Sequence, residues 1–415
     1  MTNWKSISIG LVIVVVALAA VAGYFASIKP KTVVTTTPTP TTNKTITIFY
    51  FNPAPANFWY NLVTQGVQAA VQQLRSMGYK VVYEEFDATT VSQQISELEQ
   101  AGAMHPNIIV IGTVTDAVQG ELLKLRQEGV IVILVDRDVP NKAARNLYLG
   151  TNNTLAAGKE LKSFLSYLRQ QHVPTPWKFV LVTGLPGVET LYLRAVGFED
   201  VLQPLIQNGT AQLLTVVQAN QDDQSQAYAT ISSIIPKYGT SVTAYLDTNL
   251  LTAIANVEAL EADGMGVGFG PNKVPVLGFD AQLPGWLSLI QNGTVLMTIQ
   301  QTPFVMGYWA VWAGYYNHTG QLNLPANATI NTPTYTVISC NATYSMILDH
   351  VALSPTYLLL LAQQLTPQHP ALQAPSYYAY DCQSNSGLIP PPPALYSPWP
   401  VPAGSDQSFV ATGFH

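Results

Sequence analysis

Asn52 is followed by the run Asn57-Phe58-Trp59-Tyr60, and Asp136-Arg137, Asp247-Thr248-Asn249, Phe279-Asp280 and Gln300-Gln301 come further along the chain. Each cluster closes a β-rich run. Aromatic rings beside carboxylates, amides and a guanidinium suit a polyhydroxylated ligand. The C–H face of such a ligand stacks on a ring, while its hydroxyls donate to Asp and accept from Arg. The sequence offers catalysis much less. It has no G-x-S-x-G elbow, no P-loop and no H-E-x-x-H pair. The glycines of residues 264–270 follow a helical window and precede a strand, the reverse of the dinucleotide fingerprint, and read as a loop. Six His and two Cys, scattered or near the tail, exclude a multi-Cys zinc site or an iron–sulfur cluster. The expectation is a ligand-binding protein with no metal and no cofactor, and not an enzyme.

The elements that must position these clusters alternate regularly. β-rich runs at 46–51, 80–83, 108–111, 130–135 and 147–149 are separated by helical windows at 57–77, 91–104 and 116–128, with apolar residues at i, i+3, i+4 spacing. Gly78 and Gly129 sit where helix-ending glycines belong. The rhythm restarts with strands at 178–183, 213–217, 242–246, 274–279 and 295–299. Helices are expected at 154–169, 189–206, 222–235, 249–263 and 302–316. Repeated βα units make a parallel sheet covered on both faces. Ten strands in one sheet would be unusual, so two doubly wound lobes are expected, with a break at Gly150-Thr151-Asn152-Asn153. Ligands of such sheets bind outside the carboxyl ends of the strands, where the five clusters fall. After Gly320 prolines interrupt the rhythm, and only 358–365 reads as a helix.

Of the 415 residues, 48% are hydrophobic and 10% are charged, with a net charge of −6. The charged share is well below the roughly 25% of soluble domains. Without a Lys/Arg footprint, nucleic acid is excluded as a partner. Residues 6–28 carry no charge and are long enough to span a bilayer as a helix. They read as a retained anchor or as a cleavable signal segment with Ala20-Val21-Ala22 as a cleavage site. The Thr/Pro-rich tract at 31–45 reads as an extended stalk. Glycosylation sequons at Asn43, Asn152, Asn208, Asn292, Asn317, Asn327 and Asn341 fit an exported chain. So does one disulfide between Cys340 and Cys382, with two free buried thiols as the alternative.

The order of several motifs resembles a known family. Ala56-Asn57-Phe58-Trp59 is similar to an Asn-Pro-Phe-aromatic helix start, and Val135-Asp136-Arg137 to an Asp-Arg strand end. Arg194-Ala195-Val196-Gly197-Phe198 is similar to an R-x-x-G-F helix. Leu277-Gly278-Phe279-Asp280 and Thr298-Ile299-Gln300-Gln301 are similar to two further strand ends. The chain thus resembles, over roughly residues 45–341, the sugar-binding type I periplasmic binding proteins of the ribose-binding kind. The resemblance implies ring stacking by Phe58 and Trp59 and hydroxyl bonding by Asp136, Arg137, Asp280 and Gln301. Asp247 stands where the family has Asn or Asp. The chain departs from the pattern at Tyr192, where a ligand Arg is usual, at Gln221, where an aromatic is usual, and at Asn57, which replaces the Pro. The implied ligand set is Asn52, Asn57, Phe58, Trp59, Asp136, Arg137, Tyr192, Arg194, Gln221, Asp247, Phe279, Asp280 and Gln301.

The expected organisation follows from these readings. An anchor or signal segment at 1–28 and a stalk at 29–45 precede lobe one at 45–150 plus 302–325. Lobe two covers 151–301 plus 326–345, and a loop-rich extension covers 346–415. A three-crossing hinge, the third crossing near 324–331, lets the lobes close on ligand. The implied function is extracellular capture of a mono- or small oligosaccharide for the permease of an ABC transporter, by a monomer held at the cell surface or secreted after cleavage. A ligand-sensing ectodomain, or a receptor for a nucleoside or amino acid, is the alternative.

Overall fold

The computed structural model describes residues 45–281, 284–338 and 355–374. In chain order the strands are β1 (Thr45–Asn52), β2 (Lys80–Asp87), β3 (Ile108–Gly112), β4 (Ile131–Val135), β5 (Leu147–Gly150), β6 (Trp177–Thr183) and β7 (Ala211–Gln218). They continue with β8 (Ala244–Asp247), β9 (Val276–Phe279), β10 (Met297–Gln300), β11 (Thr329–Asn331), β12 (Tyr335–Ile338) and β13 (Ala371–Gln373). The main helices are α1 (Phe58–Ser76), α2 (Val91–Ala103), α3 (Gln119–Gln127), α4 (Asn153–Gln170) and α5 (Glu189–Gln207). After them come α6 (Gln224–Ser232), α7 (Leu250–Ala262), α8 (Pro284–Gln291), α9 (Pro303–His318) and α10 (Pro355–Ala362). Within 264–270, read from the sequence as a loop, Gly266–Val267 pairs with Lys273–Val274 in a two-residue ribbon.

Two sheets result. The first runs in the order β13-β11-β5-β4-β3-β1-β2 and is parallel throughout. The second runs β12-β10-β9-β8-β6-β7 and is parallel except for its antiparallel edge pair β10–β12. Central strands β3 and β4 are unbroken apolar runs because helices cover both faces. Edge strand β2 alternates in burial and extends to Asp87, past the predicted 80–83. Helix α1 forms because Asn57 caps it, accepting a hydrogen bond from the Trp59 N–H. Its Val63, Val67, Ala70 and Leu74 make one buried stripe. Helix α9 is apolar almost all round because α1, the sheet and α10 enclose it. Glycine permits the closest helix contact in each lobe. A Cβ on Gly66 of α1 would lie 2.0 Å from the Phe304 carbonyl oxygen of α9, and one on Gly197 of α5 would lie 2.3 Å from the Thr154 oxygen of α4.

Three segments cross between the sheets and are bonded to one another. Thr151 Oγ1 donates to Gln301 Oε1 at 2.6 Å. The Thr332 N–H donates to the Gly150 carbonyl at 2.7 Å. Thr302 Oγ1 donates to the Pro333 carbonyl at 3.1 Å. The third crossing therefore lies between Asn331 and Tyr335, later than the expected 324–331. The reason is β11, which the sequence reading missed: it pairs with β5 in the first sheet. The extension also departs from expectation. Helix α10 and strand β13 belong to the first lobe, where Leu358, Leu361, Ala362, Leu365 and Ala374 enter the core and β13 pairs with β11. The anchor segment, the stalk up to Lys44, Cys340, Cys382, and the sequons Asn43 and Asn341 lie outside the described residues. Among the described residues no helix is long and apolar enough to cross a membrane.

A candidate ligand site between the lobes

The carboxyl ends of the parallel strands in both sheets supply the site. Strand β4 is followed by Asp136, whose backbone is left-handed (φ +65°), and β9 by Asp280 (φ +70°). Both aspartates hold a conformation costly for a side-chain-bearing residue, of order 1–3 kcal/mol, that only a surrounding network can maintain. The network is visible in each lobe. The Asp136 N–H donates to Leu149 O of the neighbouring strand at 3.0 Å, and the Asp280 N–H donates to Ile299 O at 2.6 Å. The main chain turns away from the sheet at these points.

In the first lobe Tyr60 donates from its hydroxyl to Asp136 Oδ2 at 2.6 Å. The Trp59 ring stands edge-on to the Tyr60 ring with centroids 5.0 Å apart. The Arg137 guanidinium sits 5.8 Å from the Tyr60 ring centre and donates to the carbonyls of Thr113 and Val114 at 3.4 and 3.1 Å. In the second lobe Arg194 stacks 4.1 Å from the Phe279 ring centre. It donates to Asn153 Oδ1 and to the Thr248 carbonyl, both at 2.8 Å, so it ties α5 to the start of α4 and to the turn after β8. Gln301 donates to Asp280 Oδ1 at 2.8 Å while accepting from Thr151. A hydrogen-bonded chain thus joins Asp280 to two of the crossings.

The two halves act on each other electrostatically. Burial pushes the Asp280 carboxyl up to about 6, against the opposing pull of Arg194 and of the Gln301 bond. Asp136 of the other lobe pushes it further up, and the Trp59 indole N–H pulls it down. Burial works against the Arg137 charge, but Tyr60, Asp136 and, from the second lobe, Asp222 outweigh it and raise its pKa. Beneath the site burial pushes Asp247 up to about 8, although Asn256 donates to it at 2.9 Å. Glu160 of α4 is fully buried with both oxygens unbonded among the described residues. Burial raises its pKa, Arg194 lowers it, and Asp247 and Asp280 raise it again.

The structure gathers Trp59, Asp136, Arg137, Arg194, Phe279, Asp280 and Gln301. The other predicted residues make contacts of their own. Asn52 holds the turn after β1 through the Ala54 N–H and donates to Thr64. Asn57 caps α1. Phe58 is exposed. Gln221 accepts from the Leu185 N–H and donates to Asp222. Asp247 is bonded beneath the strand ends, and Tyr192 projects into an outer groove with 66% exposure. The sequence reading did not single out Thr151, Asn153, Glu160 and Asp222, and it placed Tyr60 in the first cluster but outside the implied ligand set. Tyr60 and Asp222 adjoin predicted ones. Glu160 is an acid on the otherwise apolar buried face of α4.

The family model of the periplasmic binding protein domain matches residues 48–321. The chain belongs to the periplasmic binding protein family. Among solved structures, this periplasmic binding protein is similar to a glucose-galactose binding protein from Geobacillus stearothermophilus. The two share 22% identity, with 72% of this chain and 99% of that one covered and a TM-score of 0.60. It is also similar to a carbohydrate transporter solute binding protein from Agrobacterium radiobacter in complex with D-arabinose (22% identity, 74% and 99% covered, TM-score 0.63). A third is a protein from Mycobacterium smegmatis in complex with β-D-fucofuranose (16% identity, 76% and 97% covered, TM-score 0.62). At these identities the likeness shows the fold. No curated protein matches the chain.

Proposed function

We propose that this periplasmic binding protein captures a neutral sugar between its lobes outside the cell and delivers it to the permease of an ABC transporter. The observation that carries this reading is the pair of left-handed aspartates, one from each lobe, within electrostatic reach of each other and of Trp59. Carboxylates accept hydroxyl hydrogens and an indole takes the C–H face of a sugar ring, so one ring between them satisfies all three. Similarity to structures whose names specify glucose-galactose, D-arabinose and β-D-fucofuranose supports the same ligand class. Arg137 and Arg194 each already hold backbone carbonyls. The Arg137 Nε, buried and without a hydrogen-bond partner among the described residues, is left to donate to a sugar hydroxyl.

In this reading Asp136, Arg137, Asp280 and Gln301 bond the hydroxyls, Trp59 stacks, and Arg194 and Phe279 shape the second-lobe wall. Residues 1–28 and the stalk hold a monomer at the membrane, and Cys340 pairs with Cys382. A thermal-shift and calorimetric screen of pentoses, hexoses, nucleosides and amino acids tests the ligand class. Sugars should stabilise the protein by mass action. Stabilisation by nucleosides or amino acids alone would overturn the reading. Mass spectrometry of the unreduced protein tests the disulfide.

A further inference from the structure

A groove of about 650 Å³ opens at the side of the cleft, walled by both lobes. Arg137 is common to its wall and to the inner site, so the two spaces adjoin. Its volume is within the roughly 300–1,000 Å³ range of small-molecule pockets. One wall is apolar and exposed: Leu185 is 42%, Val216 46% and Tyr192 66% accessible. Beside it stand the exposed carboxylates of Asp116, Glu189 and Glu199 and the half-buried one of Asp138. The lining cation is Arg137, already bonded to the Thr113 and Val114 carbonyls.

The chemistry of this groove is amphipathic. An aromatic ring and two aliphatic side chains offer a platform for a C–H face. The four lining carboxylates accept hydroxyl hydrogens and repel anions. A phosphate or uronate would meet the like charge of these carboxylates. We propose that the groove is an outer subsite for a second neutral sugar ring, stacked on Tyr192, so that the preferred ligand is a disaccharide or a longer oligosaccharide. The proposal rests on the sugar-binding reading above and narrows it to a length of ligand.

The test is calorimetry of glucose, galactose, xylose and arabinose against cellobiose, maltose, lactose, xylobiose and arabinobiose, with 4-nitrophenyl glycosides as a third set. At least one disaccharide should bind tenfold or more tightly than its monosaccharide. Tyr192→Ala should weaken that disaccharide about tenfold, and Tyr192→Phe should restore it. Val216→Trp, placed on an exposed edge-strand position, should fill the groove and remove the disaccharide advantage while leaving monosaccharide affinity unchanged. Monosaccharides binding as tightly as every disaccharide would overturn the outer subsite and leave sugar capture standing. Nitrophenyl glycosides binding more tightly than all disaccharides would overturn the second sugar ring in favour of an aromatic aglycone. Failure of all three sets would overturn both readings together.

Discussion

At the residue scale, the site is a set of buried polar side chains whose charges are held at a cost. Trp59→Ala should weaken sugar binding by at least about 1 kcal/mol through lost stacking and burial. Asp136→Ala and Asp280→Ala should each weaken it tenfold or more, since hydrogen bonds to charged groups are worth about 1.5–3 kcal/mol. Calorimetric titration of the cognate sugar measures all three, and unchanged affinity would remove those side chains from the site. The raised carboxyl pKa values make a separate prediction about stability. Asp280 titrates near 6 and Asp247 near 8 when folded, against 3.8 for an unperturbed Asp. Between the unfolded and folded values the native state holds more protons, so stability is fully present below the unfolded value and falls as pH rises through the folded one. At about 1.4 kcal/mol per unit, Asp280 alone withdraws on the order of 3 kcal/mol between about pH 4 and 6. The melting temperature should fall from about pH 4 to pH 8, and Asp247→Asn should flatten the part above pH 6. A melting temperature that rises across this window would contradict the assignment.

At the element scale, the two glycine crossings and the returning extension control stability. Gly66→Ala would drive a methyl group into the Phe304 carbonyl at 2.0 Å, and both helices must separate. A loss of about 1–3 kcal/mol should appear in chemical denaturation. Leu361→Ala should cost about 2–5 kcal/mol, because α10 closes the first lobe's core. The sequence pattern announced most of these elements. Helices α1, α5 and α9 carry long apolar stripes and strands β3 and β4 are unbroken apolar runs, so period and length identify them. Strands β11 and β13 have three residues each and no period to read; only pairing across the chain makes them strands. The same limit applies to the site. Asp136, Arg137, Asp280 and Gln301 were legible because strand ends converge in this topology. Tyr192 lines the outer groove and Gln221 bonds the Leu185 N–H and Asp222, contacts that spacing does not encode.

At the scale of the whole molecule, three bonded crossings permit rotation of one lobe against the other, and the hydrogen-bonded chain Thr151–Gln301–Asp280 links the site to two of them. Ligand should contract the radius of gyration in X-ray scattering, and an identical value at saturation would refute closure. With 10% charged residues, affinity should respond weakly to ionic strength. The facing aspartates have a further consequence for an empty receptor. Asp136 disfavours the charge of Asp280, so shutting an unoccupied cleft meets resistance that sugar hydroxyls remove. The closed shape then acts as a truthful signal of cargo, and a permease that recognises that shape is spared futile turnover on idle receptors. Acid should corrupt the signal: below about pH 6, where Asp280 takes up its proton, the sugar-free protein should contract in scattering toward the loaded form.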